Sequence, residues 1–327
     1  MFLAFSLPVL VNIAHFTPFI TLIAGMAILL IAGLLDDLLD VRALYRLLIQ
    51  IAVATLMVYA GGLEINHLGK LFGEAYGNVG LGPFSFPFTV ACMVFLINSI
   101  NMSDGLDGLA GGTGLYILMM LALVAWLAGA PAGLIIVCLV LAMAVLGFLI
   151  YNMQSPFRNK ASAFMGDAGS MMLGFAVAWL ALAIATAEKS SVYPITIAWI
   201  LLIPSMDALA VIVRRISLGR SPMSADRSHM HHIIFRCGFS VRNTVRVVHL
   251  LVLGAGAMGV AAWYYGLPEW LLFFVATGLI LGYMFLLTMA HRILRRFLRR
   301  NRLSEASEQI NDSGNELDTM NPASNET

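Results

Sequence analysis

The sequence predicts an all-α protein, a polytopic bundle of membrane-spanning helices. Three observations carry that expectation. Of 327 residues, 60% are hydrophobic and 11% charged, whereas soluble domains carry about 25% charged residues. The apolar residues fall into nine stretches, each of the roughly 20 residues that cross a hydrocarbon core. The basic residues are confined to alternate connections, as expected of a multi-pass chain. A soluble core of this length could not hide so much apolar surface. That excludes a soluble enzyme, a disordered protein and a nucleic-acid binder. Cys92, Cys138 and Cys237 form no short-spaced pair, so neither a disulfide framework nor a cysteine metal site is expected.

Taken in order, the predicted spans are 17–35, 44–62, 84–100, 108–129, 132–151, 168–187, 193–214, 245–265 and 268–290. The apolar stretch 1–14 precedes them and reaches only about 21 Å as a helix, too short to cross. It has neither a basic start nor a small-residue cleavage site, so it makes a poor signal peptide. It reads as the remainder of a helix whose start is missing. One set of connections holds 17 of the 19 basic residues: Arg42, Arg46, Arg158, Lys160, the seven arginines from Arg214 to Arg246, and the six from Arg292 to Arg302. That set is assigned to the cytoplasm. The other set holds Lys70 and Lys189. Residues 1–302 are expected to form an integral membrane catalytic unit and 303–327 a polar, disordered tail. The arginines before the tail are interleaved with Ile293, Leu294, Phe297 and Leu298. They read equally as a helix lying on anionic headgroups and as a topology anchor.

The acids are few and localised. Asp36, Asp37, Asp40, Asp104, Asp107, Asp167 and Asp226 fall on the arginine-bearing side, while Asp207 lies inside an apolar helix. Carboxylates at membrane depth are costly and usually functional. Several on one face suit a hard cation and a phosphate-bearing substrate. Adjacent Asp36 and Asp37 repel, which a nearby Mg²⁺ or cationic side chain would relieve. The stretch Asn98 to Gly112 breaks two helices with Asn101, Asp104, Asp107 and glycines. Irregular backbone at this depth is tolerated where it lines a cavity. Asp167 precedes a helix and could equally be its N-cap. The loop Arg214 to His232 places His229, His231 and His232 among arginines. Three histidines suggest a transition metal, but the arginines favour a phosphate-binding loop.

In this order the four stretches resemble the polyprenyl-phosphate N-acetylhexosamine-1-phosphate transferases. The marks are Asp36-Asp37 with Gln50 downstream, Asn98 to Gly112, and Asn152 leading into Phe164-Met-Gly-Asp167-Ala-Gly-Ser170. Pro204-Ser-Met-Asp207, Arg214-Arg215 and His229-Met-His231-His232 follow. The likeness runs from about Gly33 to the arginine-rich tail. Members of that family open with a further helix and a segment of the type Asp-x-Pro-x-x-Arg-Lys-x-His, which the sequence as given lacks. A misassigned start is the expectation, a truncated form the alternative.

The resemblance implies a bacterial inner-membrane enzyme with its active site facing the cytoplasm. It would transfer N-acetylglucosamine 1-phosphate from UDP-GlcNAc to undecaprenyl phosphate and release UMP, the first membrane step of O-antigen or other envelope polysaccharide synthesis. It implies Mg²⁺ (Mn²⁺ as alternative), held by Asp167, Asp36 and Asp37. Asp36, Asp37, Asp104, Asp107, His231 and His232 are the implied catalytic residues. Arg46, Asn101, Leu106, Phe164, Arg214, Arg215, Arg220 and Arg227 are the implied substrate-binding residues, with Phe164 stacking on uracil. Asp207 is expected to pair with a helix-end arginine. The implied partners are the UDP-sugar, undecaprenyl phosphate and the bilayer, with no nucleic acid and an open oligomeric state.

FucNAc, QuiNAc and GalNAc donors fit the same residues. An intramembrane prenyltransferase would use Asp36-Asp37-x-x-Asp40 but needs a second Asp-rich copy, for which Asp104-x-x-Asp107 is poor. The Asp-Gly motif of a CDP-alcohol phosphotransferase continues differently. A secondary transporter predicts midplane carboxylates and repeated halves, whereas here the acids gather at one face and no internal repeat is seen.

Overall fold

The computed structural model describes residues 1–11, 19–39, 41–153, 161–187, 191–224 and 228–289, with the backbone alone over 7–11. Asp40, Arg158, Lys160, Glu188, Lys189, Asp226, Arg227, the arginine-rich stretch and the polar tail lie outside these residues. Two compact units are present, Met1–Leu279 and Ile280–Thr327. In the second, only 280–289 are described, as the continuation of an apolar helix.

The described residues are mostly helical. The helices are α1 Phe2–Val11, α2 Ile20–Leu39, α3 Ala43–Gly61, α4 Ser85–Met102, α5 Leu109–Leu127 and α6 Ala132–Asn152. Then come α7 Gly166–Thr186, α8 Pro194–Ile200, α9 Leu202–Ser217, α10 Met230–Arg236 and α11 Val241–Tyr264. The last is α12, Glu269–Met289. Eight of the described helices are long and apolar enough to cross a membrane, or nine if the bent pair α8–α9 counts as one span. The chain is therefore a multi-pass membrane protein, as its composition requires. α1 is a ten-residue helix, too short to cross, packed on α2 and α6.

The one departure among the spans is 193–214, expected as a single helix. It is broken at Leu201 and bent by 79°. Pro204 accounts for the break, because it has no N–H to donate to the carbonyl of Ile200 and its ring clashes with that turn.

α7 is the centre of the first unit. It packs on α2, α4, α5, α6 and α8, and from Ala168 to Ile184 every residue is buried. A helix enclosed in this way needs no polar face, and its sequence is apolar all round. Without a hydrophobic drive between helices in lipid, such packing relies on close backbone approach at small residues. Gly33 of α2 supplies it, since a Cβ there would fall on the backbone of Ala168. On the other side Gly174 of α7 lies against the backbone of Ile97 in α4.

At the end opposite Asp36, residues 66–81 form a hairpin-like loop closed by Leu68 N–H to Val79 O at 2.9 Å and by the Lys70–Glu74 ion pair. Tyr76, Phe84, Trp126, Tyr264 and Tyr265, all exposed, are carried by this loop and by helix ends on the same side, as suits residues at a membrane interface.

Gly33→Ala should push α2 off α7 and destabilise the protein by about 1–3 kcal/mol. Gly147→Ala, where the new methyl meets nothing within 4 Å, should stay within about 0.5 kcal/mol of wild type. Thermal unfolding in detergent measures both, and equal melting temperatures would contradict the close crossing.

Candidate functional site: a carboxylate cluster at the mouth of an apolar groove

The α2–α7 crossing brings Asp36 and Asp167 together. Asp36, in the last turn of α2, is buried. Its Oδ1 accepts the N–H of Val41 at 2.9 Å and so closes the turn into α3. Arg46, in the first turn of α3, donates from Nη1 to Asp36 Oδ2 at 2.5 Å and also to Asp167 Oδ2. One guanidinium thus bridges two carboxylates that would otherwise repel.

Asp167 sits in the first turn of α7, where the helix dipole favours an anion. Its Oδ1 accepts from Asn101 Nδ2 at 2.8 Å, and the same amide lies 2.8 Å from Ser170 Oγ. The Ser170 hydroxyl in turn donates to the Gly166 carbonyl at 2.8 Å. Exposed Asp37 accepts the Asp167 N–H on Oδ1 at 3.2 Å. Gly166 permits this approach: it has a φ of +64°, and a Cβ there would crowd the Asp37 carboxylate. Beneath this layer Asn98 donates to buried Gln50 at 2.6 Å.

The turn between α4 and α5 carries Asp104, Leu106 and Asp107. Gly108, at φ +80°, donates its N–H to Asn152 Oδ1 at 2.9 Å, and Asn152 Nδ2 donates to the Ala163 carbonyl at 2.8 Å. Asn152 thereby fastens this turn to the segment carrying Phe164, whose ring is 78% exposed. An exposed ring beside a polar turn is available for stacking. The Asp104 carboxyl is pushed up to about 6, first by burial and then by the charges of Asp167, Asp107 and Asp37.

The histidine loop closes another side. Asp207 of α9 accepts from the Met230 N–H at 2.8 Å and lies 2.9 Å from His229 Nδ1. The His229 and His231 rings are parallel, their centroids 5.7 Å apart, and His232 lies 4.2 Å from His231. His231 is buried against Gly105. Burial, and then His232 and His229, push its pKa down to about 4, so its ring is neutral at pH 7. Arg215 is buried and donates to the Pro222 carbonyl at 2.5 Å, Arg214 is half-buried, and Arg220 is exposed.

From this cluster a groove of about 790 Å³ runs between α3, α4 and α9. Arg46, Asn101 and Arg215 line its polar end, while Ile51, Val90 and Phe86 line its apolar course along the helices.

Among the described residues, no three His, Cys, Asp or Glu side chains form a group that could hold a metal by themselves. Besides the Arg46 guanidinium, which engages Oδ2 of both Asp36 and Asp167, the groups around Asp167 are carboxylate, amide and hydroxyl. Mg²⁺ typically takes one or two carboxylates and completes its shell with waters and substrate phosphates. Asp167 with Asp37 or Asp36 fits that mode better than a closed protein cage.

The structure thus brings Asp36, Asp37, Arg46, Asn101, Asp104 and Asp167 into one neighbourhood. Phe164 and the turn with Leu106 and Asp107 stand beside it. Arg227 lies outside the described residues. Four contributors were underrated from sequence: Asn152, Ser170, and the Gln50–Asn98 pair. The signal was available, because Gln50 follows Arg46 by four residues and Asn98 precedes Asn101 by three, each on a shared helix face.

The profile described as glycosyl transferase family 4 matches residues 19–185. The undecaprenyl-phosphate alpha-N-acetylglucosaminyl 1-phosphate transferase of Escherichia coli (strain K12) is 35% identical over 288 residues, 86% of this chain and 77% of that protein. Those of Yersinia pestis and Haemophilus influenzae are each 32% identical. The first covers 89% of this chain and 79% of its own length, the second 84% and 77%. The chain belongs to glycosyl transferase family 4 and is a membrane-embedded phosphoglycosyltransferase.

Proposed function

We propose that the chain transfers N-acetylglucosamine 1-phosphate from UDP-GlcNAc to undecaprenyl phosphate at the cytoplasmic face of a bacterial inner membrane, giving undecaprenyl diphosphate-GlcNAc and UMP. One observation carries this reading. A carboxylate–guanidinium cluster stands at the polar mouth of an apolar groove, so a lipid phosphate and a water-soluble diphosphate have a common place to meet. The likeness to proteins named for this reaction supports the same donor and acceptor.

The lipid chain lies along the apolar course of the groove, with its phosphate at Arg46 and Arg215. A phosphate monoester has its second pKa near 6, so the nucleophile is largely ionised and demands no strong base. Asp36 and Asp37 orient it, and Arg46 offsets its charge. Asn101, Asp104, Leu106 and Asp107 face the nucleotide, with Phe164 stacking on uracil. His231 and His232, with Arg214, Arg220 and Arg227, serve the diphosphate. Asp167, with Asp36 or Asp37, would hold Mg²⁺, which when bound offsets charge on the diphosphate and the leaving UMP. The residues then contribute chiefly positioning and electrostatic stabilisation. The product is the lipid-linked start of an envelope polysaccharide such as O antigen.

Asp167→Asn and Asp36→Asn should each lower UMP release from UDP-GlcNAc by about 10²-fold or more while the protein still inserts into membranes. Wild-type rates from either variant in a purified assay would sink the site assignment. A panel with UDP-GalNAc, UDP-FucNAc and UDP-QuiNAc identifies the donor, and preference for one of these replaces GlcNAc in the reading.

The raised Asp104 pKa has a stability consequence. The folded state holds this proton more tightly than the unfolded chain, so ionising it costs stability as pH rises between 3.8 and about 6. Asp104→Asn should therefore stabilise the ligand-free protein by about 1–3 kcal/mol at pH 8 and by little near pH 4. Thermal unfolding at the two pH values measures this. A gain independent of pH would contradict it.

A further inference from the structure

The histidine loop is held from outside the cluster described so far, by a carboxylate inside a membrane helix. Asp207 stands on α9, one turn past Pro204, and its residue is only 7% exposed. An acid placed there is costly unless both its oxygens are used. One oxygen takes the Met230 N–H at 2.8 Å and the other lies 2.9 Å from His229 Nδ1. We propose that Asp207 is a positioning residue, which holds the His229–His232 segment against the Asp104–Asp107 turn by engaging the His229 ring and the Met230 N–H together.

The chemistry of the contact fixes a tautomer. A carboxylate oxygen only accepts, so His229 Nδ1 carries a hydrogen, and in the neutral ring Nε2 is then a bare acceptor. The orientation is passed along the loop. The His229 ring lies parallel to that of His231, within 5°. His231 abuts Gly105, where a Cβ would fall on the ring nitrogen Nε2. That leaves no room for the loop to slide without moving the turn that carries Asp104 and Asp107. Asp207 touches neither reactant in this arrangement and acts through the histidines.

The activity arm of the test rests on the proposed function, and the spectroscopic arm does not. In full-length protein labelled with ¹⁵N-histidine and placed in nanodiscs, the wild-type His229 ring should carry hydrogen on Nδ1. Asp207→Asn can still accept the Met230 N–H on its Oδ1, but its Nδ2 donates to His229 Nδ1 and should move the ring hydrogen to Nε2. In UMP release, Asp207→Asn should lower kcat/KM by about 10–100-fold, as the loss of an orienting partner does, with an unchanged melting temperature. Combined with His229→Ala it should cost no more than His229→Ala alone. Asp207→Glu, which keeps the carboxylate, should retain the Nδ1 hydrogen and lose less activity than the Asn variant; it also serves where the Asn variant does not fold. A wild-type ring protonated only at Nε2, losses that multiply in the double variant, or a Glu variant no better than Asn would each overturn the proposal. A wild-type chain that releases no UMP from any UDP-sugar would instead overturn the proposed function, and the ring spectra would still decide the Asp207–His229 link.

Discussion

The site depends on Arg46 standing between Asp36 and Asp167. The α2–α7 crossing is close because Gly33 puts no side chain between the two backbones. That closeness places a carboxylate from the end of one helix beside a carboxylate from the start of the other. In a poorly solvated region their repulsion would push the helices apart. The guanidinium converts the repulsion into a bridge, and α3 is held against both helices by the same contact. Helix packing and charge are therefore one problem here: neither the crossing nor the cluster is comfortable without the other. Removing the cation alone would leave partly buried acids uncompensated, which is the costly way to break such a bridge.

Much of the fold was legible in the sequence because hydrocarbon thickness sets the length of each span, and length is a one-dimensional property. The bend between α8 and α9 was not read, since an apolar stretch looks the same straight or folded by 79°. Pro204 was its visible sign and was taken only as part of a motif. In the site, the arginines and acids could be assigned to one side from the charge pattern. Their pairing could not. Asp36 and Asp167 are 131 positions apart, and Asp207 meets a histidine 22 residues further on. Those contacts exist only because particular helices cross, and no local pattern encodes a crossing. Asp207 was expected to serve a helix-end arginine, a reading confined to its own helix, and its contacts with His229 and Met230 add a link across to the next segment.

Under the proposed function, the groove answers a solvation problem. One reactant has a tail that belongs in lipid, and the other is a nucleotide that belongs in water. The wall of the groove changes from Phe86, Val90 and Ile51 to Arg46, Asn101 and Arg215 along its length, so a phosphate on an apolar chain can remain solvated by guanidinium and amide groups while its tail stays dry. Just below that transition Asn98 donates to Gln50 Oε1 at 2.6 Å and to the Val94 carbonyl at 2.8 Å, and the Gln50 amide donates to Met171 Sδ at 3.3 Å, which lets polar side chains line an otherwise apolar channel with their donors met.

The electrostatic balance of the cluster bears on how a diphosphate enters. Burial first, and then the charges of Asp167, Asp107 and Asp37, let Asp104 hold its proton up to about pH 6. The neighbouring His231 cannot offset them, because burial keeps its ring neutral down to about pH 4. Under the proposed function, a diphosphate approaching alone meets the like charge of these carboxylates, and the Arg46 guanidinium among them is already engaged by Asp36 and Asp167. On that reading the arrangement favours a donor arriving with its own hard cation, which the oxygens of Asp167 and a neighbouring carboxylate would hold. A neutral His231 in turn contributes by its placement and hydrogen bonding rather than by its charge.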